Sequence, residues 1–386
     1  MAAVMASRVA DKIVSHAWNK DYTQVAICAN KNIVYIYKAT PNSPANTWKL
    51  LHELREHDQH VSSVDWSPVH NQIVTCSHDR NAYVWKEVNG SWQPNLVILR
   101  LNRAALTARW SPLGNKFAVT SGAKSVCVCY YEAENNWWVS KLIKKKHEST
   151  VTAVAWHPSN VLVATASTDS KCRVFTAQVK GVDDDRSCAA WLSEDARFGD
   201  CLFEVSAESW IHAAVWSPSG TSLAFAAHNR SIGFVDGLHG PAGGWAGNLR
   251  PTRYVELPEG KLPMRDIAFL SDELVVAGGY DCRPTLIESR DGRGWGLKTE
   301  LCGGETRKIS AVSEESKSQF NSGFAAFRAQ LDLGLEASES AAERSGETVD
   351  AHSNCIQCIR VCSSSTEGKF TFTTSGLDGV LAAWMV

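Results

Sequence analysis

Apolar and polar residues alternate with a period of two along most of the chain, the signature of half-buried β-strands. The alternation is organised into a repeating unit: an apolar strand ending in an aromatic, a Ser-Pro-type turn, a second apolar strand, a tight polar turn and a third strand. First strands end in VDW (64–66), ARW (108–110), VAW (154–156) and AVW (214–216). Ser67-Pro68, Ser111-Pro112, His157-Pro158 and Ser217-Pro218 come directly after them. Proline there stops the strand, because it fixes φ and lacks a ladder donor. Trp18 precedes Tyr37, Trp66 precedes Trp85 and Trp156 precedes Phe175 by the same 19 residues, and Phe269 precedes Ile287 by 18. Six residues before the closing position stand Asp79, Asp169, Asn229, Asp281 and Asp378. Their short side chains bond nearby amides in tight turns. Nine residues before the leading aromatic, His57, His147 and His352 occupy equivalent loop positions.

Leading positions fall at Trp18, Trp66, Trp110, Trp156, Trp216 and Phe269, with a seventh near Val361. Steps of 44 to 60 residues between the first six match four-stranded blades plus loops. The prediction is an all-β, seven-bladed β-propeller. The chain stops at Trp384-Met385-Val386, in the third strand of the last unit. Residues near Arg8 to Val14 are expected to supply the missing outer strand and close the ring.

One segment breaks the repeat. Blades one to six are expected within 1–301, an insertion within 302–351 and blade seven within 352–386. Trp295 to Leu301 can form the sixth outer strand, and the insertion beyond it is rich in Ser, Gly, Glu and Lys, as a flexible loop would be. Near 316–333 the insertion reads as a short amphipathic helix. Phe320, Phe324, Phe327 and Leu331 recur at i, i+4, i+7 and i+11, about a 60° stripe at 100° per residue. An isolated helix of this length is marginal in water, and Gly323 weakens it further. Its phenylalanines need shelter, either on the propeller's own flank or in a partner's groove; the partner is the expectation.

Composition narrows the function. A net charge of −2 over 386 residues provides no broad basic field for nucleic acid. No apolar run is long enough to cross a bilayer, and no signal peptide is evident. The twelve cysteines are scattered singly through apolar segments, which suits reduced thiols in cytosol or nucleus. Cys355, Cys358 and Cys362 lie on a strand pattern without a fourth ligand, so no metal is expected. His57, Ser77 and Asp79 are the residue types of a nucleophilic triad. They recur with Trp85 in blade two, with His147, Ser167 and Asp169 ahead of Phe175, and with Asp378 and Trp384 at the chain's end. A device made once per blade is a structural lock. Lys144, Lys145 and Lys146 are either a solvated run or a basic rim contact, and Asp183-Asp184-Asp185 reads as solvated. No unrepeated polar set marks a channel mouth, and no cofactor or catalysis is expected.

Several stretches carry a resemblance: CSHDRNAYVW (76–85), LNRAALTARWSP (101–112), ENNWWVSKLIKKKHESTVTAVAWHP (134–158) and FTTSGLDGVLAAW (372–384). They resemble WD-repeat propellers of the family of subunit 1 of the actin-related protein 2/3 complex. The likeness runs through the whole chain, insertion included, although Lys86 and Thr176 stand where the Trp-Asp dipeptide would place Asp. It implies a non-catalytic scaffold in a cytoplasmic, cytoskeletal assembly that nucleates branched actin filaments. It also implies partners: actin-related protein 2, small subunits four and five, nucleation-promoting factors and the actin filament. Its insertion helix, whose family motif maps here onto Ser318-Gln319-Phe320, Phe324 and Phe327, would contact the mother filament, and Arg328 and Leu331 on the same expected helix are taken as further contact residues. The other reading is a WD-repeat adaptor of another multiprotein assembly.

Overall fold

The computed structural model describes residues 5–183, 191–239, 252–289, 294–302, 350–364 and 369–386. Their strands form seven four-stranded antiparallel sheets, each paired in simple sequence order save the last. The blades span 15–54, 61–97, 105–143, 151–206, 211–256 and 264–300, and blade seven combines 356–385 with Met5–Arg8.

Each leading aromatic packs back onto the preceding blade. Trp66 joins Ala26 and Ile36 of blade one, Trp110 joins Val74 and Val84 of blade two, and Trp216 joins Ala164 and Val174 of blade four. Phe269 does the same against Phe234 of blade five, and Trp18 against Leu381 of blade seven. All these rings are at least nine-tenths buried. One aromatic per seam is therefore enough to mortar adjacent sheets, and the repeat spacing reflects that need.

The tight turns obey a second rule. The residue after each turn Asp or Asn is left-handed: Arg80 (φ 73°), Ser170 (65°), Arg230 (68°), Cys282 (62°) and Gly379 (73°). The turn carboxylates in turn accept amides from the loop entering the same blade. Asp58, Glu148, Leu262 and Ser353 donate to Asp79, Asp169, Asp281 and Asp378 at 3.2, 2.9, 2.9 and 2.9 Å.

The closing strand is Met5–Arg8, a few residues earlier than the segment near Arg8 to Val14. It pairs antiparallel with Val380–Met385, Met5 opposite Ala383 and Arg8 opposite Val380. Residues 9–14 cannot continue that strand because they cross from blade seven to blade one. Val9 and Ala10 donate to the Gly379 carbonyl, Ile13 to Gly376 and Val14 to Cys28.

Innermost strands of blades two to seven share a bulge near their first residues. A bulge re-aims a side chain out of the pleat. In three consecutive blades the freed hydroxyl latches onto the next one. Ser62 donates to Ala105 O (2.8 Å), Thr107 to Thr152 O (2.9 Å) and Thr152 to Ile211 O (2.6 Å).

The sixth outer strand is Trp295–Glu300. The helix expected over 316–333, with Phe320, Phe324, Phe327, Arg328 and Leu331, falls outside the described residues. Its two roots meet at one turn: Leu301 N donates to Pro284 O (2.8 Å), and Arg283 pairs with Asp350 through bonds of 2.7 and 2.9 Å. No helix among the described residues is long and apolar enough to cross a membrane.

Candidate interaction surface

Before any surface can be assigned, the triad-like residues need a role. In blade two, His57 Nδ1 lies 2.7 Å from Asp79 Oδ2 and His57 Nε2 lies 2.8 Å from Thr75 Oγ1, which also accepts the Trp85 indole N–H at 2.9 Å. A carboxylate only accepts, so the imidazole proton sits on Nδ1; Thr75 then donates to Nε2 and accepts from Trp85. Blade seven repeats the chain through Asp378, His352, Thr374 and Trp384 at 3.1, 2.7 and 2.8 Å. Both threonines are fully buried and their hydroxyls are committed at both ends. An attacking nucleophile needs a free lone pair facing substrate. These chains are locks.

The residue pattern assigns the hydroxyl to Ser77, and the structure corrects that to Thr75. Ser77 sits one turnward step further on, where its Oγ donates to Gln59 O (3.0 Å) and accepts from Asp79 N (3.2 Å). The missed signal was a threonine ten residues before the closing aromatic, at Thr75, Thr165 and Thr374. Burial alone would raise the Asp79 and Asp378 carboxyls. Hydrogen bonds from the histidines and from backbone amides outweigh it and hold both below the usual range.

Blade four departs from the pattern. His147 and Asp169 do not pair directly, because Arg173 Nη1 stands between them, 3.1 Å from His147 Nδ1 and 2.8 Å from Asp169 Oδ2. A guanidinium only donates, so His147 Nδ1 must accept here and the tautomer is reversed. His147 Nε2 is left without a partner among the described residues, and Phe175 replaces the indole. Burial first and the Arg173 charge second push His147 down to about 4.

No cluster of three or more His, Cys, Asp or Glu fit for a metal occurs among the described residues. Cys355 and Cys362 are buried thiols pushed up to about 11 and about 12 by desolvation.

Two exposed features share one rim of the ring, where outer strands lead into the next innermost strand. Lys144, Lys145 and Lys146 are all exposed in the loop before blade four. Before blades five and six, Trp210 (55% exposed) and Leu262 (49%) flank Tyr280 (40%) and the His212–His228 pair. Sequence reasoning missed this second patch, since isolated loop aromatics carry no periodicity.

The model of the WD domain, G-beta repeat, matches residues 48–86 and 139–176. Over all 386 residues the chain is 46% identical to actin-related protein 2/3 complex subunit 1A of Arabidopsis thaliana, covering 97% of that protein. The chain belongs to the actin-related protein 2/3 complex subunit 1 family. Subunit 1A-B of Xenopus laevis is 37% identical over 97% of this chain and 94% of its own length. Subunit 1 of Saccharomyces cerevisiae is 35% identical with the same coverage. For a member of the subunit 1 family, the departures of blade four and the split of the repeat by residues 303–349 are features of one continuous full-length match.

Proposed function

We propose that the chain is a non-catalytic scaffold subunit of the actin-related protein 2/3 complex, supporting nucleation and branching of actin filaments at the cytoplasmic actin cytoskeleton. The observation that carries this is similarity running across the entire chain, including residues 303–349, to relatives named as subunit 1 of that complex. A ring of seven sheets locked by buried hydrogen-bond chains is suited to presenting loops rigidly. Neighbours on this reading are actin-related protein 2, small subunits four and five, and nucleation-promoting factors, with Lys144, Lys145 and Lys146 as a basic rim contact for an acidic neighbour. The insertion contacts the mother filament through Phe320, Phe324, Phe327, Arg328 and Leu331. Its support is the one-sided stripe of Phe320, Phe324, Phe327 and Leu331 in a segment rich in Ser, Gly, Glu and Lys, rooted at Arg283 and Asp350.

Deleting 316–333 tests the filament contact. The deleted chain should still co-purify with the other subunits, while branching from preformed filaments falls. Undiminished branching rejects the contact, and a purification that returns no actin-related subunits rejects the scaffold reading itself. Replacing Phe320 and Phe324 with serine should reproduce the branching defect without shortening the tether.

A further inference from the structure

The innermost strands enclose a central channel of about 370 Å³. Its wall carries three guanidinium groups, Arg109, Arg265 and Arg360, against one carboxylate, Asp266. That carboxylate is already engaged, accepting the Ile359 amide at 2.7 Å and the Ile267 amide at 3.0 Å. The repeat does not explain the arginines. One residue before the leading position, where Arg109 and Arg360 stand, the other blades have Ala17, Asp65, Ala155, Val215 and Ala268. The expectation that no unrepeated polar set lines the channel is therefore overturned.

Arg109 and Arg360 converge although blades one and two lie between their own. Arg109 Nη1 donates to Ser63 Oγ (3.2 Å) and Ala108 O (3.1 Å). Arg360 Nε donates to His16 O (2.9 Å) and Nη2 to Val64 O (3.2 Å), the residue next to Ser63. Asp65 and Asp266 each favour the charged form of both arginines and so offset part of the pair's charge; Asp65 stands 3.4 Å from Arg360 Nη2, and its other oxygen accepts the Trp110 amide at 2.8 Å. Each guanidinium offers five N–H donors. Nε and Nη2 of Arg109 and Nη1 of Arg360 meet no protein acceptor among the described residues. Burial first and the Arg360 charge second hold Arg109 below its ordinary value. Two like charges set close together in a channel wall, with forks left open, make the complement of an anion.

We propose that the central channel binds a small tetrahedral oxyanion, inorganic phosphate or sulfate, between Arg109 and Arg360. At the equivalent positions of blades four to six stand Ala155, Val215 and Ala268, which are small and apolar, so one compact anion fits between the two arginines. Held by blades three and seven together, the ion braces the ring across its closing seam and stabilises the folded chain by linkage.

Thermal melting of the full-length chain tests this, with chloride replaced stepwise by phosphate, and separately by sulfate, at constant ionic strength. Both anions raise melting temperatures generally by exclusion from protein surface, without saturating. The site predicts an added saturable rise that is lost in Arg109→Gln and Arg360→Gln, or moved to roughly tenfold higher anion concentration or beyond. Identical saturable curves in wild type and both variants overturn the proposal. Should those variants fail to fold, Arg109→Lys keeps the charge and loses the fork. The phosphorus NMR line of inorganic phosphate should broaden with the wild-type chain and sharpen with Arg109→Lys. A sharp line with wild type overturns the site. Broadening of O-phosphoserine without broadening of inorganic phosphate rejects the free ion as occupant.

Discussion

Thr75 is where three buried side chains of blade two meet, and its hydroxyl serves both His57 Nε2 and the Trp85 indole. Thr75→Val keeps the shape and removes the oxygen, leaving a buried donor and a buried acceptor unmatched. Each unsatisfied group costs about 1–3 kcal/mol, so urea unfolding should show a loss of roughly 2–4 kcal/mol. Thr75→Ser keeps the oxygen and deletes one methyl, and should cost about 1 kcal/mol. Equal losses from the two variants would mean that packing, rather than the hydrogen-bond chain, holds the blade. Blade four shows that the lock can be rewired, since Arg173 takes over the link between His147 and Asp169 and adds a 3.0 Å bond to Glu204 on the outer strand.

Among the elements, the closing strand is the one whose geometry leaves least freedom. Gly379 sits at φ 73° and its carbonyl accepts the Val9 and Ala10 amides at 2.9 and 3.3 Å. A Cβ at this position would lie 1.6 Å from Ala10 O, a backbone atom that cannot swing aside. Gly379→Ala should therefore lift residues 5–10 from blade seven and expose the edge of Val380–Met385, at a cost of roughly 2 kcal/mol or more. Hydrogen exchange should quicken across 5–14 while blades two to five keep their protection. Gly90 provides the control: its φ is 78°, but a Cβ there meets nothing within 4 Å. If Gly90→Ala loosened residues 5–14 as much, the clash with Ala10 would not be the cause.

At the scale of the whole molecule, the sequence disclosed what repeats and hid what does not. Trp18, Trp66, Trp110, Trp156, Trp216 and Phe269 were legible because six of the seven seams take one large ring in the same place, the seventh having Val361 there. The bulges were hidden, since an extra residue in one strand leaves the apolar alternation nearly unchanged. The convergence of Arg109 and Arg360 depends on ring closure and has no local pattern. Ring closure also concentrates titratable groups in dry seams, and that sets the pH response. His16 is held well below 6.5, by burial first and by Arg360 and Arg109 next. His157 is pushed down to about 4 by burial; its Nδ1 accepts the Ser159 amide at 3.0 Å, which leaves Nε2–H for Gly220 O at 3.1 Å. A histidine lowered on folding binds more protons unfolded than folded between the two values. Stability therefore rises with pH across that interval and falls on acidification from about 6.5 toward about 4. For the fully buried His157 alone the full effect is on the order of 1–3 kcal/mol. Asp79, Asp169 and Asp378 act lower: their folded values lie below 3.8, so their contribution is complete above 3.8 and is lost as pH falls beneath it. Urea midpoints of the full chain should decline from pH 6.5 to about 5, above the range in which the lowered carboxylates lose their contribution, and His157→Gln should flatten part of that decline. A midpoint constant over this window would mean the seam histidines titrate normally, and with it the dry, fully closed ring would have to be given up.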